Sequence, residues 1–505
     1  MKKTTILLFL LNITLTINAQ TQLGGNLPGE DESNRSGTSL AMNSAGNFIA
    51  VGAPQAIIAL NGGIAIRGGH VRTYAYNENS GWTAGADFDA EAKGDSMGFS
   101  VAVNGNGSII ACGAPEGDPN GTNSGYVHVY IAQGNNPITP NNYIRLGEDL
   151  DGEASPDRFG QSIAINDAGT RLIIGAPGGN YVKVFEKNTF ADPWTQLGQT
   201  LNGDANGDLF GTSVDINASG DKIVIGAISN DTGGTEAGRA KIYELNNGNW
   251  VQIGDNIDGN FGDQAGNTVS MDDVGDTVAI GFPGVTAPNT SNSGGIKIFD
   301  LNNNLWQQRG NTIFGRASEG LGGSGNHQQE GAIDLHSGGE RIVIGSKTYT
   351  DTSVTQKGHI ALYQFENGVW LQKGNTIIGE NNDDEFGTAV AINDGDGTII
   401  AGGAPFADDN GSSSGHIKVY DFNIPLSINK FKINNTFSVF PNPTSDKITI
   451  QGEAIQKVDF FNVNGKKIKS FLSNSIDVSN FSKGVYFLKI TSASNLVSCK
   501  KLVIN

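Results

Sequence analysis

Four short patterns recur in fixed order along most of this chain, and that repetition limits the fold more than any other feature. The first is a Gly followed by an alternating run: Gly37 to Asn43, Gly98 to Asn104, Gly160 to Asn166, Gly211 to Asn217, Gly266 to Asp272 and Gly387 to Asn393, with a degenerate copy at Ala332 to His336. The second is an apolar run closing on Gly-Ala-Pro or a relative, at Pro54, Pro115, Pro177, Ile228, Pro283, Lys347 and Pro405. The third is a strand-like run closing on an aromatic: Tyr74, Tyr130, Phe185, Tyr243, Phe299, Tyr363 and Tyr420. The fourth reads Trp-x-Gln-Leu-Gly-x-x-Leu-x-Gly and starts at Trp82, Tyr143, Trp194, Trp250, Trp306 and Trp370. A period of about 51 to 64 residues holds four short strands with turns between them. Asn166 to Gly169 and Asn217 to Gly220 have the residues that accept positive φ in hairpins. Almost no stretch has helical apolar spacing, and 71 glycines suit many tight turns. Four antiparallel strands per repeat is the signature of a β-propeller blade, so the expected class is all-β.

The count predicts seven blades and a closed ring. Patterns one to three occur seven times, and the seventh unit, ending near Asn423, lacks the fourth pattern. The missing copy stands at the other end of the chain, at Thr21 to Gly29, and matches Thr195 to Gly203 closely. An N-terminal strand that completes the last blade removes a free sheet edge.

The pairing of Phe159-Gly160 with Gly175-Ala176-Pro177 resembles the FG-GAP repeat of integrin α-chain propellers and their bacterial relatives, over roughly residues 21–423. The resemblance implies the fold and leaves function open. Members of that family often bind calcium through Asp-x-Asp-x-Asp-Gly loops. Here Asp394-Gly-Asp396-Gly and Asp408-Asp-Asn-Gly411 are partial copies, with too few carboxylates for an ion that takes six or more oxygens.

The ends of the chain speak of export. Lys2 and Lys3, the apolar run Ile6 to Ile17 and the small residues near Ala19 form a signal peptide over residues 1–19. No later stretch is long and apolar enough for a membrane helix. Residues 424–436 read as a linker, and 437–505 as a small β-sandwich of short strands about ten residues apart. Its Pro441-Asn-Pro443 start, Asn464-Gly465 hairpin, Gly484-Val-Tyr486 strand and Lys-rich finish resemble the type A C-terminal sorting domain of the Bacteroidota type IX secretion system. The resemblance implies the type IX machinery as a partner and a secreted or outer-surface destination. Charge marks the same boundary. Residues 424–505 carry 11 Lys and four acidic residues, whereas the whole chain stands at -18. The acidic main domain disfavours nucleic acid and anionic membranes. Cys112 and Cys499 fall in different domains, so no disulfide framework is expected.

No catalytic, cofactor-binding or metal-ligating residue is assigned from the sequence, and no cofactor is expected. Asp95, Asp157, Asp208, Asp263 and Asp384, with Asn34 in the first unit, stand three residues before the pattern-one Gly. Glu91, Glu153, Asp204 and Glu380 precede them by four. Recurrence in nearly every blade favours loop capping over a charged channel mouth. His70, His359 and His416 share one position after Gly in pattern three, and His128 lies in the same strand, which reads as architecture. His327 and His336, beside Glu319, Glu330 and Asp334, are the one place where an acid–base or metal site would fit, without tight ligand spacing. Loops that vary between blades are the candidate contact regions: Gln55 to Asn61, Gln133 to Asn142 and Arg316 to Gln329. The expected function is non-catalytic binding or adhesion to a glycan or protein. The alternative is a secreted propeller enzyme acting on polysaccharide or protein.

Overall fold

The computed structural model describes residues 20–60, 64–133, 143–323, 333–349, 356–422, 437–452, 454–462, 467–492 and 497–505. Its regular elements are β-strands, and no α-helix occurs among the described residues. They group into two compact units, within Asn18–Ile424 and within Pro425–Asn505. The signal-peptide and linker readings lie outside the described residues.

Among the described residues, the larger unit holds seven antiparallel sheets of four or five strands, one per repeat, and none closes on itself. In the third, Ser162–Ile165, Arg171–Ala176 and Tyr181–Glu186 lie side by side in chain order. Pattern two makes the second strand, and in Phe48–Ala53, Ile109–Ala114 and Thr277–Phe282 every residue is buried. A strand covered on both faces reads as a continuous apolar run. The fourth pattern is not one strand. Thr195–Gln196 and Leu201–Asn202 each pair with the outer edge of Tyr181–Glu186, and Gly198 turns between them at φ 74°. Among the described residues, only the first and sixth units keep one continuous outer strand, each with a register shift.

The core lies between successive sheets. One cluster joins Ile109, Val127 and Val129 of the second unit to Phe159, Leu172 and Ile174 of the third. Another joins Leu40, Ile49 and Val51 of the first to Ala401, Ile417 and Val419 of the seventh. Two glycines per unit permit this approach. A Cβ on Gly52 would meet the Gly98 carbonyl oxygen at 2.0 Å, one on Gly175 that of Gly211 at 2.2 Å, and one on Gly403 that of Gly37 at 2.1 Å. The accepting glycines hold φ near 90°, a region closed to most side chains. The same contact places Gly281 against Gly322, so the sixth unit has its own pattern-one Gly, in Leu321-Gly322. The sequence reading missed it because residues 323–332 separate it from Ile333–Leu335.

The N-terminal segment pairs with the seventh sheet. Thr21–Gln22 runs against Asp421 and Tyr420, and Leu27–Pro28 against Ile417 and His416. Trp82 Nε1 donates to the Leu23 carbonyl at 2.9 Å, as Trp194 does to Leu146 and Trp250 to Leu197. The Gln20 amide both donates to and accepts from the Asn375 backbone.

The smaller unit contains a sheet of Ser438–Phe440, Lys447–Gln451 and Ser475–Asp477, and one of Lys467–Phe471, Ile455–Phe461, Gly484–Ser492 and Val497–Ile504. Ile448, Ile450 and Ile476 of the first sheet bury against Phe460, Leu488 and Leu502 of the second.

Candidate functional site

The aspartates three before the pattern-one Gly are buried loop caps, whereas Asn34 in the first unit is buried with its Oδ1 unpartnered. Asp95 accepts the Ala92 N–H, Asp157 those of Glu153 and Ala154, Asp208 that of Ala205, Asp263 that of Asn260 and Asp384 that of Asn381. Glu319 holds the same place before Gly322 and accepts the Arg316 N–H. It is therefore the sixth unit's cap, a role the sequence hid because its glycine went unrecognised. Within the partial calcium motifs, Asp396 accepts from Asn393 and Thr398, and Asp408 accepts from Ser413, each inside its own turn.

The acidic residues seven before the glycine act differently. Each faces the third residue of the third strand, which is a cation in most units. Lys183 meets Glu153 at 2.5 Å, Lys241 meets Asp204 at 2.5 Å and Lys418 meets Glu380 at 2.6 Å. Arg72 is held by Glu30 and by Asp87, the latter at 2.6 Å. Three units break the pattern. The fifth keeps Lys297 but has Gly259 in the acidic place, and the ammonium lies 4.0 Å from the Phe282 ring. The sixth has Ala361 and Gly315. The second has His128, 3.5 Å from Glu91 and 3.7 Å from Asp149.

The pattern-one strands line a cavity of about 240 Å³ to which all seven units contribute. Asp167, Asp215, Asp273, Asp334 and Asp394 are its carboxylates. Burial pushes Asp215 up to about 6, against the backbone N–H groups of Met271 and Ile216 that it accepts. Burial, then the charges of Asp273, Asp167 and Asp215, raise Asp394 to about 7. Burial and the Asp394 charge put Asp334 well above the ordinary range, although it accepts the Ile392 N–H. Asp215, Ser270 and Asp334 occupy one strand position in successive units, and each accepts an N–H from the next unit's strand. From the sequence, the recurring loop carboxylates read as caps in preference to a ring at a channel mouth. Of the carboxylates that converge, Asp215 and Asp334 sit where pattern one carries Asp for Ala or Ser, a signal visible in Val214-Asp215-Ile216 and Ile333-Asp334-Leu335, and Asp167, Asp273 and Asp394 stand just after the pattern's last residue.

In the sixth unit, Glu319 Oε1 lies 3.4 Å from His359 Nδ1 beside a cavity of about 80 Å³ that Arg316 also lines. Burial raises the Glu319 carboxyl and lowers His359 to about 4. His336 is not part of this group; its ring accepts the Gly338 N–H, lies near the Ser337 hydroxyl and hydrogen-bonds the Asp394 backbone. Asp334 faces the central cavity. His327 and Glu330 lie outside the described residues, as do most of Gln133 to Asn142 and the end of Arg316 to Gln329. His70 and His416 are buried beside Glu30 and Asp409. The first-unit insertion is a two-stranded hairpin, Ile57–Leu60 with Ile64–Arg67, and Ile57 is exposed. Cys112 is free and buried, and burial pushes its thiol up.

Comparison with known proteins fits this arrangement. Residues 194–243 match the FG-GAP repeat family, over the third unit's outer strands and most of the fourth sheet. Residues 438–505 match the secretion system C-terminal sorting domain, over the sandwich. No curated protein matches the chain. Among solved structures, hydrazine synthase of Kuenenia stuttgartiensis aligns with 11% identity, 76% of this chain, 94% of that chain and a TM-score of 0.46. A putative 6-phosphogluconolactonase of Bacteroides uniformis aligns with 11% identity, 68% and 86% coverage and a TM-score of 0.43. Neither likeness is close enough to speak for function. The chain thus carries an FG-GAP repeat over residues 194–243 and a type IX secretion sorting domain over residues 438–505, which directs it to the cell surface or the medium.

Proposed function

We propose that this protein is an exported, non-catalytic binding or adhesion propeller. In this reading it has seven blades over residues 20–423, closed by the N-terminal strand, behind a signal peptide over 1–19 and ahead of a linker over 424–436. The glycine contact of the seventh unit with the first, and the pairing of residues 21–28 with the seventh sheet, support the closure. One observation carries the binding role. The recurring carboxylates are committed to backbone N–H groups and to lysines of the scaffold, so the units differ chiefly in their loops. Rigid scaffolds with variable loops are built for recognition. The ligand is a glycan or a protein. The test is a glycan and protein binding array with the secreted protein, repeated after residues 55–67 are cut to the short Gly178-Gly179 turn of the third unit. Binding that the shortened loop weakens supports the reading. Hydrolysis or lysis of an array member, with no retained ligand, refutes it.

A second reading is a secreted enzyme acting on polysaccharide or protein. It draws on Glu319 and His359, a buried acid–base pair beside a cavity. Glu319→Gln abolishes turnover under this reading and leaves array binding intact under the first.

A further inference from the structure

Glu91, His128 and Asp149 converge in the second unit. The His128 side chain is fully buried, and its Nε2 has no hydrogen-bond partner. That nitrogen points at Glu91 Oε1, 3.5 Å away, and at Asp149 Oδ2, 3.7 Å away. All three ligand atoms lie within 4.8 Å of one another. A buried polar atom left bare costs free energy, so an orphan aimed at two carboxylates calls for a partner.

The repeat shows what kind of partner. In the first unit Arg72 occupies the place of His128, with Glu30 and Asp87 in the places of Glu91 and Asp149. Two carboxylates there enclose a cation supplied by the strand itself. In the second unit the carboxylates remain and the strand supplies an imidazole. That imidazole is buried and turns its unpartnered Nε2 toward both carboxylates, where an ion held by all three would take the place of the strand's own cation. Arg145 reaches the group from the outer strand. Its Nη2 contacts Asp149 Oδ1 and lies 3.6 Å from Glu91 Oε1, which leaves Asp149 Oδ2 facing the histidine. His128 Nδ1 lies 3.4 Å from the Tyr130 hydroxyl, which fixes the ring as outer hydrogen bonds fix metal-ligating histidines.

We infer that Glu91, His128 and Asp149 form a binding site for one first-row divalent cation such as zinc. One nitrogen and two carboxylate oxygens suit such an ion, whereas calcium takes six or more oxygens. Ligand atoms about 2.1 Å from a tetrahedral ion stand roughly 3.4 Å apart, so small movements of the half-exposed Glu91 and Asp149 complete the set.

The test uses the full chain stripped with chelator and titrated with cobalt(II), read by its visible absorption, and with zinc by calorimetry. The expected result is one saturable ion per chain. His128→Lys installs the residue that the third, fourth, fifth and seventh units carry here, so it keeps the scaffold while removing the nitrogen ligand. It is expected to weaken binding at least about tenfold, on the scale by which metal sites lose affinity when their support is altered. Glu91→Gln is expected to do the same and carries the test if the lysine variant melts abnormally. Absence of a saturable ion in the parent, or parental affinity in both variants, overturns the assignment.

Discussion

Neutralising one carboxylate of the central cavity should stabilise the protein, and the gain should grow with pH. Asp394 titrates near 7 instead of its ordinary 3.8, first because it is buried and then because Asp273, Asp167 and Asp215 stand near it. A carboxyl whose folded value is raised stabilises least when charged. Its contribution is complete below 3.8 and is lost as pH climbs through 7. At about 1.36 kcal/mol per pH unit, the full loss is about 4 kcal/mol. Between about pH 5 and about pH 8.5 the loss grows by roughly 3 kcal/mol. Asp394→Asn removes the charge while its amide oxygen still accepts from Ser44 and the Ser337 backbone. For a unit of about 400 residues unfolding together, an entropy of about 0.8 kcal/mol/K turns that growth into roughly 3 to 4 °C. Thermal melts followed by circular dichroism, parent against variant at both pH values, give the double difference. If the variant gains no more at the higher pH than at the lower, the carboxylate is not crowded and the electrostatic account of the cavity is wrong.

Removing residues 20–29 should lower the melting temperature and promote aggregation, because it bares the outer edge of His416–Asp421; trimming the hairpin over 57–67 should do neither. Asp204→Ala should cost about 3 kcal/mol in denaturant titration, since it strands the buried Lys241 and half-releases Arg239, whereas Lys241→Met should cost less than about 1 kcal/mol. Trp250→Phe should cost about 1 kcal/mol through its lost hydrogen bond to the Leu197 carbonyl, measured by the same titration. Deleting residues 437–505 should leave the protein in the periplasm, as cell fractionation and surface protease digestion would show.

What was legible in the sequence was whatever repeats. Alternation after each Gly, and the unbroken apolar second strands, gave the strands their places because a doubly buried strand leaves no other pattern. Two kinds of element escaped. Lys467–Phe471 is exposed along most of its length, so it carries no alternation to read. Leu321-Gly322 was hidden because the inserted residues broke its link to the strand that follows. The recurring Asp residues were legible as loop caps, since a structural need repeats with the scaffold. His128 was grouped with His70, His359 and His416 by its strand. It belongs instead with Arg72 and Lys183, a register visible only once cross-strand partners are known.

The pairing of Thr21 with Asp421 has a consequence for assembly order. The third unit's outer strand finds its partner eleven residues away, Phe185 against Gln196, whereas residue 21 must wait for residue 421. Closing the longer loop costs about 3 kcal/mol more in chain entropy. The earliest part of the scaffold to be synthesised thus cannot pair until the strand ending at residue 421 has followed it. A chain cut anywhere before residue 416 keeps residues 21–28 without their pairing strand, however well its other sheets fold. Completeness is therefore written into one joint, and an unfinished molecule differs from a finished one by a loose end that proteases can reach.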